Sequence, residues 1–205
     1  MRHSYIIFAL FIISLASCNN NNSTTTASSN DSTKTQSKVN TQPVQSKLNE
    51  AGTGKLMLLI NSYYTLKNAL VAGKGDSANI SAAQLVTTTD SLKSFLYNNY
   101  SKDDTVTVYD KLHTFLDTII SQAKIIAATS DATCERQRLP FGTLSSAMYG
   151  LLKNVDLKNA RVYQEYCPMA YNEKGAHWLS DDSDIKNPYF GKKMLECGEV
   201  TDVIK

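Results

Sequence analysis

The residues that could do chemistry lie near the C-terminus. Cys167, Met169, His177, Met194 and Cys197 all follow Ala160. Thiolate and thioether sulfurs are soft ligands that select Cu(I) over hard cations, with Zn(II) as the main competitor for thiolate. Cys167 and Met169 lie two apart around Pro168, so both could face one point at a strand end. Cys197 could arrive from a later segment, and His177 or Met194 could complete the set. Two cysteines and a histidine also suit Zn(II), which takes four N or S ligands in a tetrahedron. The spacing matches no standard zinc-finger pattern. A structural Cys167–Cys197 disulfide is the competing reading in an oxidising compartment, and packing is the competing reading for the methionines.

The N-terminus argues for such a compartment. Met1-Arg2-His3 is a positive start, and Tyr5 to Ala16 is almost unbrokenly apolar. A membrane span needs roughly 20 apolar residues, so residues 1–17 read as a signal peptide. The run ends in Leu15-Ala16-Ser17-Cys18, which resembles the lipobox of bacterial lipoproteins. That resemblance implies cleavage before Cys18 and lipidation of Cys18, which would anchor the protein to a lipid membrane facing the periplasm. Several acyl chains anchor stably where one binds marginally. Asn19 carries no acidic retention signal, so inner and outer membrane both stay open.

Processing would change the arithmetic. The chain has 21 Lys+Arg and 19 Asp+Glu, and loss of residues 1–17 removes only Arg2, leaving 20 against 19. This is no basic footprint for nucleic acid. Of four cysteines, Cys134, Cys167 and Cys197 remain beside Cys18. An odd count leaves at least one thiol free, metal-bound or paired elsewhere. Residues 18–46 form the anchor and an Asn/Ser/Thr-rich stretch that cannot bury enough apolar area to order itself. As a random coil it reaches about 30 Å.

The elements that must position the sulfurs occupy residues 47–205. Leu56, Leu59, Ile60, Tyr63, Leu66 and Leu70 recur at helical spacing, and Gly73 and Gly75 end that helix. Ser81-Ala-Ala-Gln84 reads as a capping box opening a second helix, with Leu85, Leu92, Phe95 and Leu96 on one face. Asp103 or Asp104 caps a third, with Tyr109, Leu112, Leu116, Ile119, Ile120 and Ala123 inward. Ser130 or Asp131 caps a fourth, with Phe141, Leu144, Met148 and Leu151 inward; Pro140 predicts a kink or break near Arg138. The expected fold is mainly α: an antiparallel four-helix bundle with a small irregular β element at the C-terminus. That element combines β-formers over Arg161–Cys167, a turn at Asn172–Gly175, extended His177-Trp178-Leu179, a turn at Asn187–Gly191 and a strand within Lys193–Val200. Tyr163, Tyr166, Tyr171, Trp178, Tyr189 and Phe190 are its expected core.

Val162-Tyr-Gln-Glu-Tyr-Cys-Pro-Met-Ala170, Asn172-Glu-Lys-Gly-Ala176, Trp178-Leu-Ser180, Ile185-Lys-Asn-Pro-Tyr-Phe-Gly191 and Met194-Leu-Glu-Cys-Gly198 resemble the signature of domain of unknown function 3347. The likeness extends over roughly Lys47 to Val203. That family occurs as single-domain lipoproteins and as the C-terminal part of CusB-type heavy-metal efflux adaptors. The resemblance implies a helical domain linked to copper or other heavy-metal handling, with heavy-metal efflux pump components as partners. Cys167, Met169, Met194 and Cys197 fall on its motifs, while His177 rests on local chemistry alone.

Ser-His-Asp, P-loop and dinucleotide motifs are absent, as is Cys-x-x-Cys, so catalysis is not expected. Asp181-Asp182-Ser183-Asp184 lacks the glycine and distal glutamate of an EF-hand and reads as a solvated turn. The expectation is a periplasm-facing lipoprotein that binds a soft heavy metal, Cu(I) first and Zn(II) second. The alternative is a non-catalytic interaction module of an efflux or sensor complex with structural cysteines.

Overall fold

The computed structural model describes residues 42–100 and 106–205. The expected signal peptide, Cys18, nearly all of the tether and the Asp103/Asp104 cap lie outside the described residues, as does the side chain of Tyr109. Four long helices, α1 (Glu50–Ala72), α2 (Gly75–Tyr100), α3 (Val106–Ala128) and α4 (Glu135–Asn154), precede a three-stranded sheet. Its strands are β1 (Val162–Cys167), β2 (Ala176–Ser180) and β3 (Glu199–Ile204). No helix among the described residues is long and apolar enough to cross a membrane.

The helices pack in sequence order, α1 on α2, α2 on α3 and α3 on α4, as short links between amphipathic helices require. Leu56, Leu59, Ile60, Tyr63, Leu66 and Leu70 are all buried, as are Leu112, Leu116, Ile119, Phe141, Leu144, Met148 and Leu151. The helical periods therefore report the core faces correctly. α1 is capped by the Asn49 carboxamide, which accepts from Gly52 N. It ends at Gly73, whose left-handed φ of 65° lets Lys74 N donate back to Ala69 O; glycine adopts this conformation without a Cβ penalty.

Two helix starts differ from expectation. α2 opens at Gly75, not Ser81, because the Gly73 turn hands the chain straight into the next helix. Ser81 lies inside α2 and is buried. A Cβ at Gly75 would sit 1.9 Å from Asp131 O, so only glycine lets α2 start against the α3–α4 loop. α4 opens at Glu135, and Cys134 holds its N-cap position with a left-handed φ of 66° and no side-chain cap bond. Asp131 caps from outside: its carboxylate accepts from Thr133 N, Thr133 Oγ1 and Arg136 N. Those bonds hold its carboxyl down to about 2.

Pro140 does not break α4, which runs unbroken through it. The proline removes a single donor in the second turn, and the preceding turn is gripped from outside. The buried Arg138 guanidinium donates to Pro188 O, Leu70 O and Thr133 O, and the Tyr171 hydroxyl donates to Arg138 O at 2.7 Å.

The sheet order is β2-β1-β3, all antiparallel. Gln164 pairs with Asp202 and Glu165 with Val200, so Thr201 is an extra residue on β3. The expected strand within Lys193–Val200 is displaced: Gly191–Lys193 is a 3₁₀ turn and the strand runs Glu199–Ile204. Between β1 and β2 lies α5 (Ala170–Glu173), a single turn in which Tyr171 and Asn172 take φ of 56° and 57°. Further upstream, Gln45 bridges Lys158 in both directions, which ties the start of the domain to the end of α4.

Sheet and bundle share one core. Tyr63 stacks on Phe141 at 5.4 Å, Phe141 meets Tyr189 at 6.0 Å, and Tyr189 meets Trp178 edge-on at 5.7 Å. Trp178 and Tyr189 are buried, whereas Tyr163, Tyr166, Tyr171 and Phe190 are only half-buried. The aromatic core beneath the sheet thus draws two of its members, Tyr63 and Phe141, from the helices.

Candidate functional site

The structure brings Cys167 and Cys197 together. Cys167 ends β1, is fully buried and pairs in register with Ala176. Cys197 is half-buried on the loop between the 3₁₀ turn and β3. Their sulfurs lie 2.9 Å apart. The Cys197 thiol is pushed up to about 11 by its hydrogen bond with Cys167, by desolvation and by the charge Cys167 can carry.

Two residues deliver Cys197 to this point. Asn187 is buried and donates from Nδ2 to Cys197 O at 2.6 Å, while its Oδ1 accepts from Tyr189 N and Phe190 N. Its backbone N also donates to Leu195 O at 2.8 Å. A single asparagine therefore fixes both ends of the loop. Gly198 follows Cys197 with φ of 149°; a Cβ there would meet Tyr166 O at 2.8 Å and Trp178 Cη2 at 2.9 Å. The close approach of loop to strand requires glycine at that position.

The remaining candidates are placed differently. Partners across a sheet share a face and neighbours alternate. His177 pairs with Tyr166 while Ala176 pairs with Cys167, so His177 and Cys167 occupy opposite faces. The exposed His177 ring packs on Tyr166 at 4.6 Å, and partial desolvation lowers its pKa. Met169 is 45% exposed on the rim of a groove of about 560 Å³, shared with Leu139, Tyr171 and Phe190 and lined by neither cysteine. Met194 is half-buried, and its carbonyl accepts from Cys197 N. Cys134 is a separate buried thiol. Among the described residues no group of three or more His, Cys, Asp or Glu side chains gathers to hold a metal ion.

A polar cluster under the sheet escaped the sequence reading. Lys67, on the buried face of α1, donates to Ser180 Oγ and Asp181 Oδ1, both at 3.1 Å. Glu165 on β1 is fully buried, and neither carboxylate oxygen makes a hydrogen bond of normal geometry. Burial pushes its carboxyl up to about 7, against the opposing pull of Lys67, the Trp178 indole N–H and Ser180. The available signals were a lysine between Leu66 and Leu70 in an apolar stripe and a carboxylate amid β-formers. The Asp181–Asp184 segment is an exposed bend whose first residue pairs with Lys67.

Fold and site define a helical-bundle domain with an appended sheet, where a strand-end thiol meets a loop thiol. The chain belongs to the family described as "Protein of unknown function (DUF3347)", which matches residues 59–160. The match is narrower than the resemblance read from the C-terminal motifs: it covers most of the four helices and ends before β1, so both paired cysteines lie beyond it. No curated protein and no solved structure matches the chain.

Proposed function

We propose that this protein is a lipid-anchored, periplasm-facing module that binds a soft metal ion through reduced Cys167 and Cys197. It would buffer the ion or pass it to heavy-metal efflux components. The observation that carries the reading is the 2.9 Å approach of two sulfurs from distant segments, one of them reachable from solvent. The ligand type fits: a thiol pair suits Cu(I), whereas a closed Zn(II) site takes four N or S ligands. Cu(I) is therefore favoured over Zn(II). Met194, three residues before Cys197 and half-buried, is the further soft donor on the Cys197 loop.

Titration of the reduced full chain with Cu(I) against a chromophoric chelator tests this. Stoichiometric uptake that disappears in both Cys167→Ser and Cys197→Ser is the expected result. No uptake by the reduced chain, or uptake unaffected by either change, rejects it.

The second reading is a non-catalytic interaction module whose cysteines are structural. What favours it is that His177 and Met169 do not join the sulfur pair, while Leu139 and Met169 stand exposed beside the 560 Å³ groove. Under that reading, Cys167→Ser and Cys197→Ser lower thermal stability and Cu(I) adds nothing to it.

A further inference from the structure

The geometry points to Cys167–Cys197 as a reversible thiol–disulfide exchange site, entered at Cys197 and resolved by Cys167, whose oxidation closes the pair to metal. The gating half of this statement rests on the metal reading above; the exchange half does not.

Three observations carry it. The sulfurs are 2.9 Å apart, and a disulfide needs about 2.05 Å, so bond formation asks for only about 1 Å of travel. Asn187 holds the Cys197 backbone in place, and rotation of the Cys197 side chain about Cα–Cβ supplies that travel. The two sulfurs also differ in access: Cys167 is fully buried at a strand end, while Cys197 is half-exposed. An incoming disulfide can reach the second and not the first.

The chemistry balances with a disulfide as the oxidant. Cys197 gives up its proton to solvent, and its thiolate attacks one sulfur of the incoming disulfide, forms a mixed disulfide and expels one thiolate, which takes up a proton. Cys167 then loses its proton, attacks the Cys197 sulfur and expels the second thiolate. One protein dithiol and one external disulfide give one protein disulfide and two external thiols. Two electrons have then passed to the external disulfide, and the two sulfurs that would bind Cu(I) as thiolates share one S–S bond and carry no charge. A dithiol reductant reverses the sequence. Cys134, buried at the start of α4, takes no part.

The test uses the reduced full chain with oxidised glutathione as the probe, quenched with acid, alkylated and digested with trypsin. Peptides 162–174 and 194–205 should appear joined by a disulfide, and dithiothreitol should separate them. Cys167→Ser should accumulate glutathione on Cys197, whereas Cys197→Ser should leave Cys167 unmodified. Absence of the joined peptides, or equally rapid modification of Cys167, overturns the exchange site. A Cu(I) competition on both redox forms then reads the gate. Uptake lost on oxidation and recovered with dithiothreitol supports it, and equal uptake by both forms overturns it. A reduced chain that takes no Cu(I) defeats the metal reading and the gate together while the joined peptides still establish exchange.

Discussion

The Tyr63 hydroxyl on α1 accepts the backbone N–H of Leu179 on β2 at 3.0 Å and pairs with the Ser145 hydroxyl on α4 at 2.7 Å. One phenol thus joins two helices and the sheet at a fully buried position. A buried donor left unpaired costs about 1–3 kcal/mol. Tyr63→Phe should therefore lower stability by about 2 kcal/mol and the melting temperature by about 5 °C. Thermal unfolding followed by circular dichroism checks this; an unchanged melting point removes Tyr63 from the joint.

Glu165 makes the domain sensitive to base. Its folded-state carboxyl, near 7, lies above the ordinary 4.5. A raised folded value means that folding takes up a proton. The associated stability is complete below about pH 4.5 and is lost as pH rises through 7. Glu165→Gln should flatten this dependence, removing roughly 2–3 kcal/mol of the difference between pH 5 and pH 8. Urea unfolding of both proteins at the two pH values decides it, and identical pH slopes would contradict the burial argument.

Two glycines in neighbouring helices should respond with opposite signs. A Cβ at Gly75 would lie 1.9 Å from Asp131 O, whereas one at Gly54, exposed in α1, would meet nothing within 4 Å. Gly75→Ala should destabilise by about 2–3 kcal/mol, as overpacking against backbone does. Gly54→Ala should stabilise by about 0.5–1 kcal/mol through helix propensity. Denaturant midpoints measure both.

Anchoring is tested at Cys18, which lies outside the described residues. Cys18→Ser should abolish acyl labelling and release the protein from the membrane fraction. A variant that stays labelled and membrane-bound refutes the lipobox reading.

The bundle was legible because burial imposes a period. Leu56 through Leu70 and Phe141 through Leu151 mark one face each, and every position named in those two stripes is buried. Boundaries were less legible because their causes are non-local. Gly75 starts a helix on account of Asp131, 56 residues away, and no local capping motif records that. The sulfur pair was legible as residue types and turns, and its geometry depends on Asn187, whose five hydrogen-bond partners all lie between β2 and β3. The separation of His177 from Cys167 required the strand register, which a single turn between β1 and β2 sets.

The aromatic series from Tyr63 through Phe141 and Tyr189 to Trp178 bears on where this domain can be cut. The family match ends at Ala160, between α4 and β1, and invites a boundary there. A fragment stopped at that residue would carry Tyr63 and Phe141 on a bared hydrophobic surface, with the Ser145 hydroxyl beside them. A fragment begun after it would keep Trp178 and Tyr189 with no partner layer to cover them. Neither piece is an autonomous unit. Helices and sheet must be gained, lost or transplanted between proteins together, and the paired sulfurs travel with the bundle that supports them.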